Sequence, residues 1–243
     1  MKIIFSPSKT MLDKKLNFLE TKNPLLKNKT DIIIKKLKQL SIEDIEKIFK
    51  IKGKILEETF KNIQEFELLK EYPAISLYDG VAFRQLELNR YSKSQLEYLL
   101  NNLFVLSAFY GILSPNTRIK KYRLDMTNNI LENNLYKFWS SDINNYLQKY
   151  SNEIFINLAS KEFSKILDYK KFNIINIEFR QLINKEEKNI STEAKKARGL
   201  LLNYIINNKI ENIETLKNFN ENGYIFLKDK SDEKKLFFLK NKI

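Results

Sequence analysis

Two serines, a lysine and a threonine follow the apolar N-terminal run of residues 2–5, in the segment SPSKT at residues 6–10. Hydroxyl groups and an ammonium group on a strand-to-loop turn suit the binding of a phosphate or a carboxylate. Ser6 and Lys9, three residues apart, could also act as a nucleophile and its base, with Thr10 as a further hydroxyl. The segment lacks the glycines of a P-loop, and a structural turn is an equally good interpretation.

A second group of basic residues lies in the segment AKKARG at residues 194–199, whose alanines indicate a helix. Lys195 and Arg198 are three residues apart and share one helix face, and Lys196 adds a third cation. Gly199 inside a helix costs about 1 kcal/mol relative to alanine, which a close approach of backbone or ligand would offset. The run predicts an anion site, and a solvated basic face is the alternative.

Polar residues also occur at two further turns. Arg123 and Asp125 are two residues apart and share a side if the chain is extended there, so they form either a structural ion pair or part of a cleft wall. Ser160 stands where a predicted strand passes into a helix, and ligand crevices of α/β sheets lie at such strand ends. The catalytic candidates are Ser6, Lys9, Arg123 and Asp125. The candidate phosphate-binding residues are Ser6, Lys9, Thr10, Arg123, Ser160, Lys195, Lys196 and Arg198.

Two apolar helical faces separated by a glycine predict a helical hairpin at residues 41–63, which Ser41 opens with a capping-box pattern. A short hairpin can present backbone N–H groups to a phosphate. Gly53 would let the backbone approach closely, and Lys52 and Lys54 add charge beside it. The pattern is similar to the helix-hairpin-helix element that contacts DNA backbones without reading sequence. An ordinary hairpin with a glycine C-cap is the alternative.

The chain of 243 residues contains no cysteine and no histidine and carries a formal net charge of +13. Disulfides, thiolate nucleophiles and iron–sulfur ligation are therefore excluded, as are most zinc and non-haem iron sites. We expect no cofactor, no disulfide partner and no metal site, although oxygen ligands could hold an ion such as magnesium. The charge favours a polyanion partner, but the Lys, Asn and Ile preference of an AT-rich genome explains part of it.

Short apolar segments alternate with helical patterns along most of the chain, which predicts a mixed α/β fold. Strands are predicted at residues 2–5, 74–78, 104–109, 154–158, 173–179, 223–227 and 236–239. We expect one domain over residues 1–243, with a central, mostly buried sheet flanked by helices. No apolar run is long enough to cross a bilayer, and the N-terminal run is too short for a signal peptide. We therefore expect a cytoplasmic protein with no membrane partner; the oligomeric state is left open.

Several segments of the chain occur together, in the same order, in one known family. The segments are FSPSKT (5–10), LYDG (77–80), LSAFYGIL (106–113), YRLDM (122–126), FW (138–139), NLASKE (157–162), AKKARG (194–199) and FNENGY (219–224). On these segments the chain resembles the YaaA family of bacterial peroxide stress proteins. The matches extend over essentially the whole sequence.

The resemblance implies a role in survival of hydrogen peroxide by limiting unincorporated intracellular iron. It also implies DNA binding through a helix-hairpin-helix element, in an unusual α/β fold with a basic cleft. The loop of residues 51–54 is Lys-rich, whereas the family usually has two glycines there. Because histidine and cysteine are lacking, we do not expect tight direct binding of ferrous iron. Protection from peroxide by shielding DNA, or by an indirect effect on iron, is physically easier for this chain than direct binding of iron.

Three functions are consistent with these observations. The first, which the resemblance favours, is a non-enzymatic stress protein that binds DNA through Lys52, Gly53 and Lys54, independently of base sequence. The second is an enzyme that acts on a nucleotide or another phosphorylated metabolite in a cleft where the polar motifs converge. The third is a basic protein whose partner is another protein.

Overall fold

The apolar runs of the chain form strands that neighbouring elements bury on both faces. Parallel strands in such a position have nearly continuous apolar sequences, as the first strand has. The computed structural model describes residues 1–13 and 20–241. Its strands are β1 (Lys2–Phe5), β2 (Tyr72–Pro73), β3 (Leu103–Ser107), β4 (Gly111–Leu113), β5 (Arg118–Ile119), β6 (Ile154–Asn157), β7 (Asn173–Ile183), β8 (Glu186–Lys188), β9 (Tyr224–Phe226) and β10 (Lys235–Asn241).

Eight of these strands form one mixed sheet, in the order β4-β3-β1-β6-β7-β10-β9, with β8 paired to β7. β1 pairs in parallel with both β3 and β6, and β7 and β10 continue the parallel part. β4 and β9 add antiparallel pairs at the two ends, and β8 is also antiparallel. β2 and β5 form a separate antiparallel pair. The predicted α/β fold with a central sheet is therefore confirmed.

Helices cover the sheet. The described helices are α1 (Lys27–Lys38), α2 (Ile42–Phe49), α3 (Lys54–Gln64), α4 (Ala74–Leu77), α5 (Lys93–Asn102), α6 (Leu135–Leu147), α7 (Lys161–Ser164), α8 (Ser191–Asn208) and α9 (Ile213–Leu216). α8 packs on β7 and α5, α6 contacts β4, and α7 contacts β3. Trp139 of α6 is fully buried, and its indole N–H donates to the Ala108 carbonyl at 2.8 Å. Over residues 1–13 and 20–241, no helix is both long and apolar enough to cross a membrane.

The strand predicted at residues 74–78 is wrong, because this segment forms the one-turn helix α4. The Ala74 carbonyl accepts from the Tyr78 N–H at 3.2 Å, and the Ser76 hydroxyl donates to the Pro73 carbonyl at 2.8 Å. The segment is buried on every side. A short apolar run with no polar face has no periodicity that separates a strand from a helical turn.

Two helices, α2 and α3, occupy the region of residues 41–63. The predicted capping box is confirmed, since Ser41 and Asp44 each accept a hydrogen bond from the other's N–H at 3.1 Å. The chain then reverses through two residues at positive φ, Lys50 at 54° and Gly53 at 55°. Gly53 is the N-cap of α3, so it does not end the preceding helix as a C-cap. The assignment of this pair as a DNA-binding helix-hairpin-helix element stays a prediction.

Gly199, in the middle of α8, lies against the backbone of Ala82. A Cβ atom at residue 199 would stand 2.1 Å from the Ala82 carbonyl oxygen, far inside van der Waals contact. The sequence leaves open whether backbone or a ligand approaches this glycine, and in the structure it is the backbone of Ala82. The contact holds the segment around residue 82 against α8, beside the helix face that bears Lys195 and Arg198.

Replacement of Gly199 with alanine tests this contact. At an open helix position the change would stabilise the protein by about 1 kcal/mol. Here we expect the free energy of unfolding to fall by about 1–3 kcal/mol, because the added methyl group overlaps a backbone carbonyl. Urea denaturation followed by circular dichroism measures the change. Asn208→Ala, at the exposed end of the same helix, is the control and should stay within about 0.5 kcal/mol of the parent. An unchanged or higher stability of Gly199→Ala would contradict the tight contact.

Candidate functional site

The strand order places a crevice next to the carboxyl end of β1. The chain leaves β1 toward β3 on one side and leaves β6 toward β7 on the other, although β1 and β6 are parallel neighbours. Loops that leave adjacent strands in opposite directions open a gap between them, and ligands of α/β proteins bind there. A cavity of about 300 Å³ lies at this position, at the lower end of the range of roughly 300–1,000 Å³ for small-molecule sites. We call it the β1–β6 cleft.

Most of the predicted site residues line the β1–β6 cleft. The polar lining residues include Ser6, Lys9, Thr10, Arg123, Asp125, Ser160, Glu162, Thr192, Lys195 and Arg198. Segments far apart in sequence thus meet, because β1, β6 and the β7–β8 hairpin before α8 all direct their following residues to one edge of the sheet. Lys196 is absent from the lining in the described part of the chain, since it lies between Lys195 and Arg198 and points from a different face of α8.

Two serines tie the loop after β1 to the start of α7. The Ser6 Oγ accepts a hydrogen bond from the Ser160 N–H at 2.8 Å, and the two hydroxyls are 3.4 Å apart. Ser160 precedes α7 but its side chain makes no capping bond. Within residues 1–13 and 20–241, Ser6 and Lys9 do not hydrogen-bond to each other, so the geometry of an activated serine is not formed. Lys9 pairs instead with Asp125.

Asp125 and Glu162 place two carboxyl groups in the β1–β6 cleft. Lys9 Nζ lies 2.5 Å from Asp125 Oδ2, and the Met126 N–H donates to Glu162 Oε1 at 3.0 Å. Burial, and then the negative charge of Asp125, raise the pKa of Glu162, while the Met126 N–H and the cations Lys9 and Lys195 partly oppose the rise. No group of three or more potential metal ligands occurs among the described residues.

The guanidinium of Arg198 lies in the cleft wall with an unused donor. Its Nε is buried and has no hydrogen-bond partner in the described structure. Burial lowers the pKa of Arg198, and Glu178 opposes this shift, but that carboxylate already pairs with Arg180 at 2.6 Å. An arginine stays protonated at neutral pH even so. Arg198 is therefore a half-buried cation whose Nε lacks a hydrogen-bond partner among the described residues.

Arg123 joins the β1–β6 cleft to a second depression beside α1 and α3, and it lines both. Among residues 1–13 and 20–241 no side chain forms an ion pair or hydrogen bond with its guanidinium. Arg123 and Asp125 therefore do not pair with each other in the described structure, and both line the cleft. The ion pair of Asp125 is made with Lys9, which lies on the opposite side of the cleft mouth.

Aromatic rings form the apolar part of the wall. Phe5 and Phe83 meet edge to face with ring centroids 5.3 Å apart, and Phe163 and Tyr122 also line the cleft. The Tyr122 hydroxyl lies 2.7 Å from that of Tyr78 and 2.8 Å from the Ser107 Oγ. Burial raises the pKa of Tyr122 to about 12, so the phenol stays neutral and the hydrogen-bonded chain fixes its ring.

Sequence reasoning did not select Glu162 or the aromatic wall. Glu162 had one available signal, its place two residues after Ser160 at the end of a predicted strand. Tyr122 and Phe83 lie in segments whose sequences indicate no regular element, and only the folded chain brings them beside β1.

The residues of the predicted DNA-binding hairpin lie outside the β1–β6 cleft. Within the described residues, Lys52, Gly53 and Lys54 contribute nothing to its lining. The Lys52 side chain is 86% exposed and its Nζ lies 3.7 Å from a Glu46 carboxylate oxygen. The two groups of basic residues that the sequence singles out thus form two separate surfaces.

Comparison with known proteins identifies the family. A family model described as peroxide stress protein YaaA matches residues 1–230. The chain belongs to this family. A UPF0246 protein of Fusobacterium nucleatum is 48% identical, over 98% of each chain. UPF0246 proteins of Legionella pneumophila strain Corby and of Finegoldia magna are 38% and 37% identical, over 99% of this chain and 99% and 98% of their own. The predicted family resemblance is confirmed over the whole chain.

The pKa of Glu162 makes a testable contribution to stability. Because this pKa is raised in the folded protein, the folded state binds the proton more tightly than the unfolded chain does, and stability is lost as the pH rises through the raised value. Glu162→Gln keeps an acceptor for the Met126 N–H and never ionises. Its advantage in unfolding free energy over the parent should grow from acidic to neutral pH, as urea denaturation at a series of pH values would measure.

Glu97→Gln, which removes the same charge from the exposed side of α5, is the matched control, and its unfolding free energy is measured over the same pH range. A pH-independent difference for Glu162→Gln would contradict the raised pKa. If the stability advantage of Glu162→Gln became smaller toward neutral pH, the pKa of Glu162 would be lowered in the folded protein and not raised.

Proposed function

We propose that this member of the peroxide stress family binds a phosphate-bearing small ligand of the nucleotide class in the β1–β6 cleft. The observation that carries the proposal is the half-buried guanidinium of Arg198 in the cleft wall, whose Nε has no hydrogen-bond partner in the described structure. Leaving such a donor unsatisfied costs about 1–3 kcal/mol. A bound phosphate would compensate the guanidinium charge and would form charge-assisted hydrogen bonds.

The neighbouring groups support a phosphate rather than a neutral polar ligand. Lys195 lies on the same face of α8 as Arg198, and Arg123 faces the cleft from the opposite loop. The lining has four cationic side chains, those of Lys9, Arg123, Lys195 and Arg198, against two acidic ones, Asp125 and Glu162. The hydroxyls of Ser6, Thr10 and Ser160 supply neutral donors at the strand ends.

The nucleotide class is favoured by the apolar wall. Phe5, Phe83 and Phe163 offer ring surface inside the same cavity that holds the cations. A ligand with a phosphate and a planar base satisfies both, whereas an inorganic anion would leave the rings without a partner. We infer that the peroxide-stress role is exerted through such a ligand and not through iron held by this chain, because histidine and cysteine ligands are lacking.

Calorimetric titration of the protein with adenosine 5′-monophosphate tests the proposal. Lys195→Ala should raise the Kd about 10–100-fold, the equivalent of one charge-assisted hydrogen bond of about 1.5–3 kcal/mol. Lys196→Ala is a matched control, since it removes the same charge from the next residue of the same helix and should change the Kd less than about twofold. Equal losses in the two variants would mean that general charge, and not the cleft, attracts the nucleotide.

A second candidate function is sequence-independent binding of DNA by the α2–α3 hairpin. Gly53 favours it, because φ is +55° there and nothing lies within 4 Å of the position of a Cβ atom. A phosphate could therefore approach the backbone N–H groups at the start of α3, where no side chain caps the helix. Lys52 and Lys54 flank this opening, and Lys52 is highly exposed.

Duplex binding followed by fluorescence anisotropy at several salt concentrations tests the hairpin. Each lysine that contacts a phosphate contributes about 0.9 to the slope of log K against log salt. The double variant Lys52→Ala/Lys54→Ala should reduce the slope by about 2 and weaken binding equally for all base sequences. Lys93→Ala/Lys170→Ala, which removes two exposed lysines of other segments, is the control. Loss of slope in the control alone would locate the DNA surface elsewhere.

A further inference from the structure

The β1–β6 cleft contains chemistry that phosphate binding does not use. Asp125 and Glu162 are both lining residues, although carboxyl groups weaken the attraction of a site for an anion. Each is held in place: Asp125 by Lys9 at 2.5 Å, and Glu162 by the Met126 N–H at 3.0 Å. The backbone bond to residue 126 keeps Glu162 beside Asp125 in the fold. Binding of a phosphate does not explain why two carboxyl groups are held in a cavity lined by cations.

We propose that the β1–β6 cleft hydrolyses the N-glycosidic bond of a nucleoside 5′-monophosphate, with Glu162 as the general acid and Asp125 as the general base. The inference rests on the proposed function, since it takes the nucleotide as ligand and assigns its reaction. Pairs of carboxyl groups with opposite protonation states are the usual machinery of glycoside hydrolysis. The cations would bind the phosphate, and the aromatic wall would pack against the base. The glycosidic bond between them would then lie beside the two carboxyl groups.

The environments of the two carboxyls divide the roles. Lys9 Nζ lies 2.5 Å from Asp125 Oδ2 and holds that carboxylate at the cleft, where it can accept a proton from water. Burial and the adjacent Asp125 charge favour the protonated form of Glu162, which can give a proton to a leaving base. The charged and titratable groups that act on Glu162 are Asp125, Lys9, Lys195 and Tyr136.

The reaction balances with water alone as co-reactant. The oxygen of a water molecule forms a bond to C1′ of the pentose while the bond from C1′ to the base nitrogen breaks. The electron pair of that bond goes to the nitrogen, which takes the proton of Glu162, and Asp125 takes a proton from the water. The products are the free base and pentose 5-phosphate. Transfer of the proton from Asp125 through solvent to Glu162 restores the starting state.

Lys9 is a positioning residue in this scheme, because it acts through Asp125. It reaches Asp125 from the loop after β1, although the two are separated by 116 residues in sequence. Without this ion pair Asp125 would lose the side chain that holds its carboxylate in place. Lys9→Ala should therefore lower kcat, and Lys9→Arg, which keeps the cation, should restore most of it.

The experiment incubates the full chain with the monophosphates of adenosine, guanosine, cytidine and uridine from pH 5 to pH 8. Released base is measured by liquid chromatography, and binding of the same nucleotides by calorimetry. We expect base release from at least one nucleotide with a bell-shaped pH profile. Glu162→Gln should lower kcat about 100-fold or more, leave the Kd within about threefold and abolish the alkaline limb. Glu97→Gln is the control and should keep the full rate.

Each outcome bears on one of the two proposals. Binding without base release by the parent protein would overturn the hydrolysis and leave the nucleotide site standing. Neither binding nor release would overturn both. Base release that survives in both Glu162→Gln and Asp125→Asn would show that other groups catalyse the reaction, which would overturn the assigned roles. Circular dichroism of each variant separates loss of the carboxyl from loss of the fold.

Discussion

The parallel pairing of β1 with β3 on one edge and β6 on the other is the constraint on which the cleft depends. Ile4 is in register with Phe104 in one neighbour and Asn157 in the other, so the carboxyl end of β1 is fixed relative to both. The chain leaves β1 and β6 toward opposite sides of the sheet, which opens a gap between the two strand ends. The hydrogen bonds between Ser6 and Ser160 then join the two strand ends directly. The position of the site is a consequence of strand order before any side chain is considered.

The net charge of +13 says little about this site, where four cations face two carboxyls. The informative feature is the surroundings of one cation. Arg198 is placed in the wall because α8 is held tightly against residue 82, an approach that only glycine at residue 199 permits. This close packing lies next to the half-buried guanidinium in the sequence and in the helix. A local departure from optimal pairing, compensated by packing elsewhere, is the usual mark of a functional position.

The sequence predicts the sheet better than it predicts the site. Strands such as β1 and β6 are continuous apolar runs because both faces are buried, and that signal is local. At residues 74–77 the same kind of run forms a helical turn, since burial on every side erases periodicity. The contact between Lys9 and Asp125 spans 116 residues, and no local pattern encodes it. Glu162 lies in a helix of four residues, too short to show a face. The motifs at residues 6–10 and 157–162 lie at the ends of predicted strands and come together because the carboxyl ends of parallel strands meet at one edge of the sheet.

The two walls of the cleft differ in how firmly they are held. Tyr122 is bound to Tyr78 and Ser107 in the core, and the Ser107 Oγ also accepts from the N–H groups of residues 109 and 110. This buried network fixes the loop that carries Arg123 and Asp125. Lys9, by contrast, has a side chain that is 57% exposed and lies on a loop at the cleft mouth. A phosphate that enters must compete with Asp125 for this lysine. Because the Tyr122 network holds the Asp125 loop independently of Lys9, a ligand that drew Lys9 away would change the charge beside this carboxyl without releasing its loop.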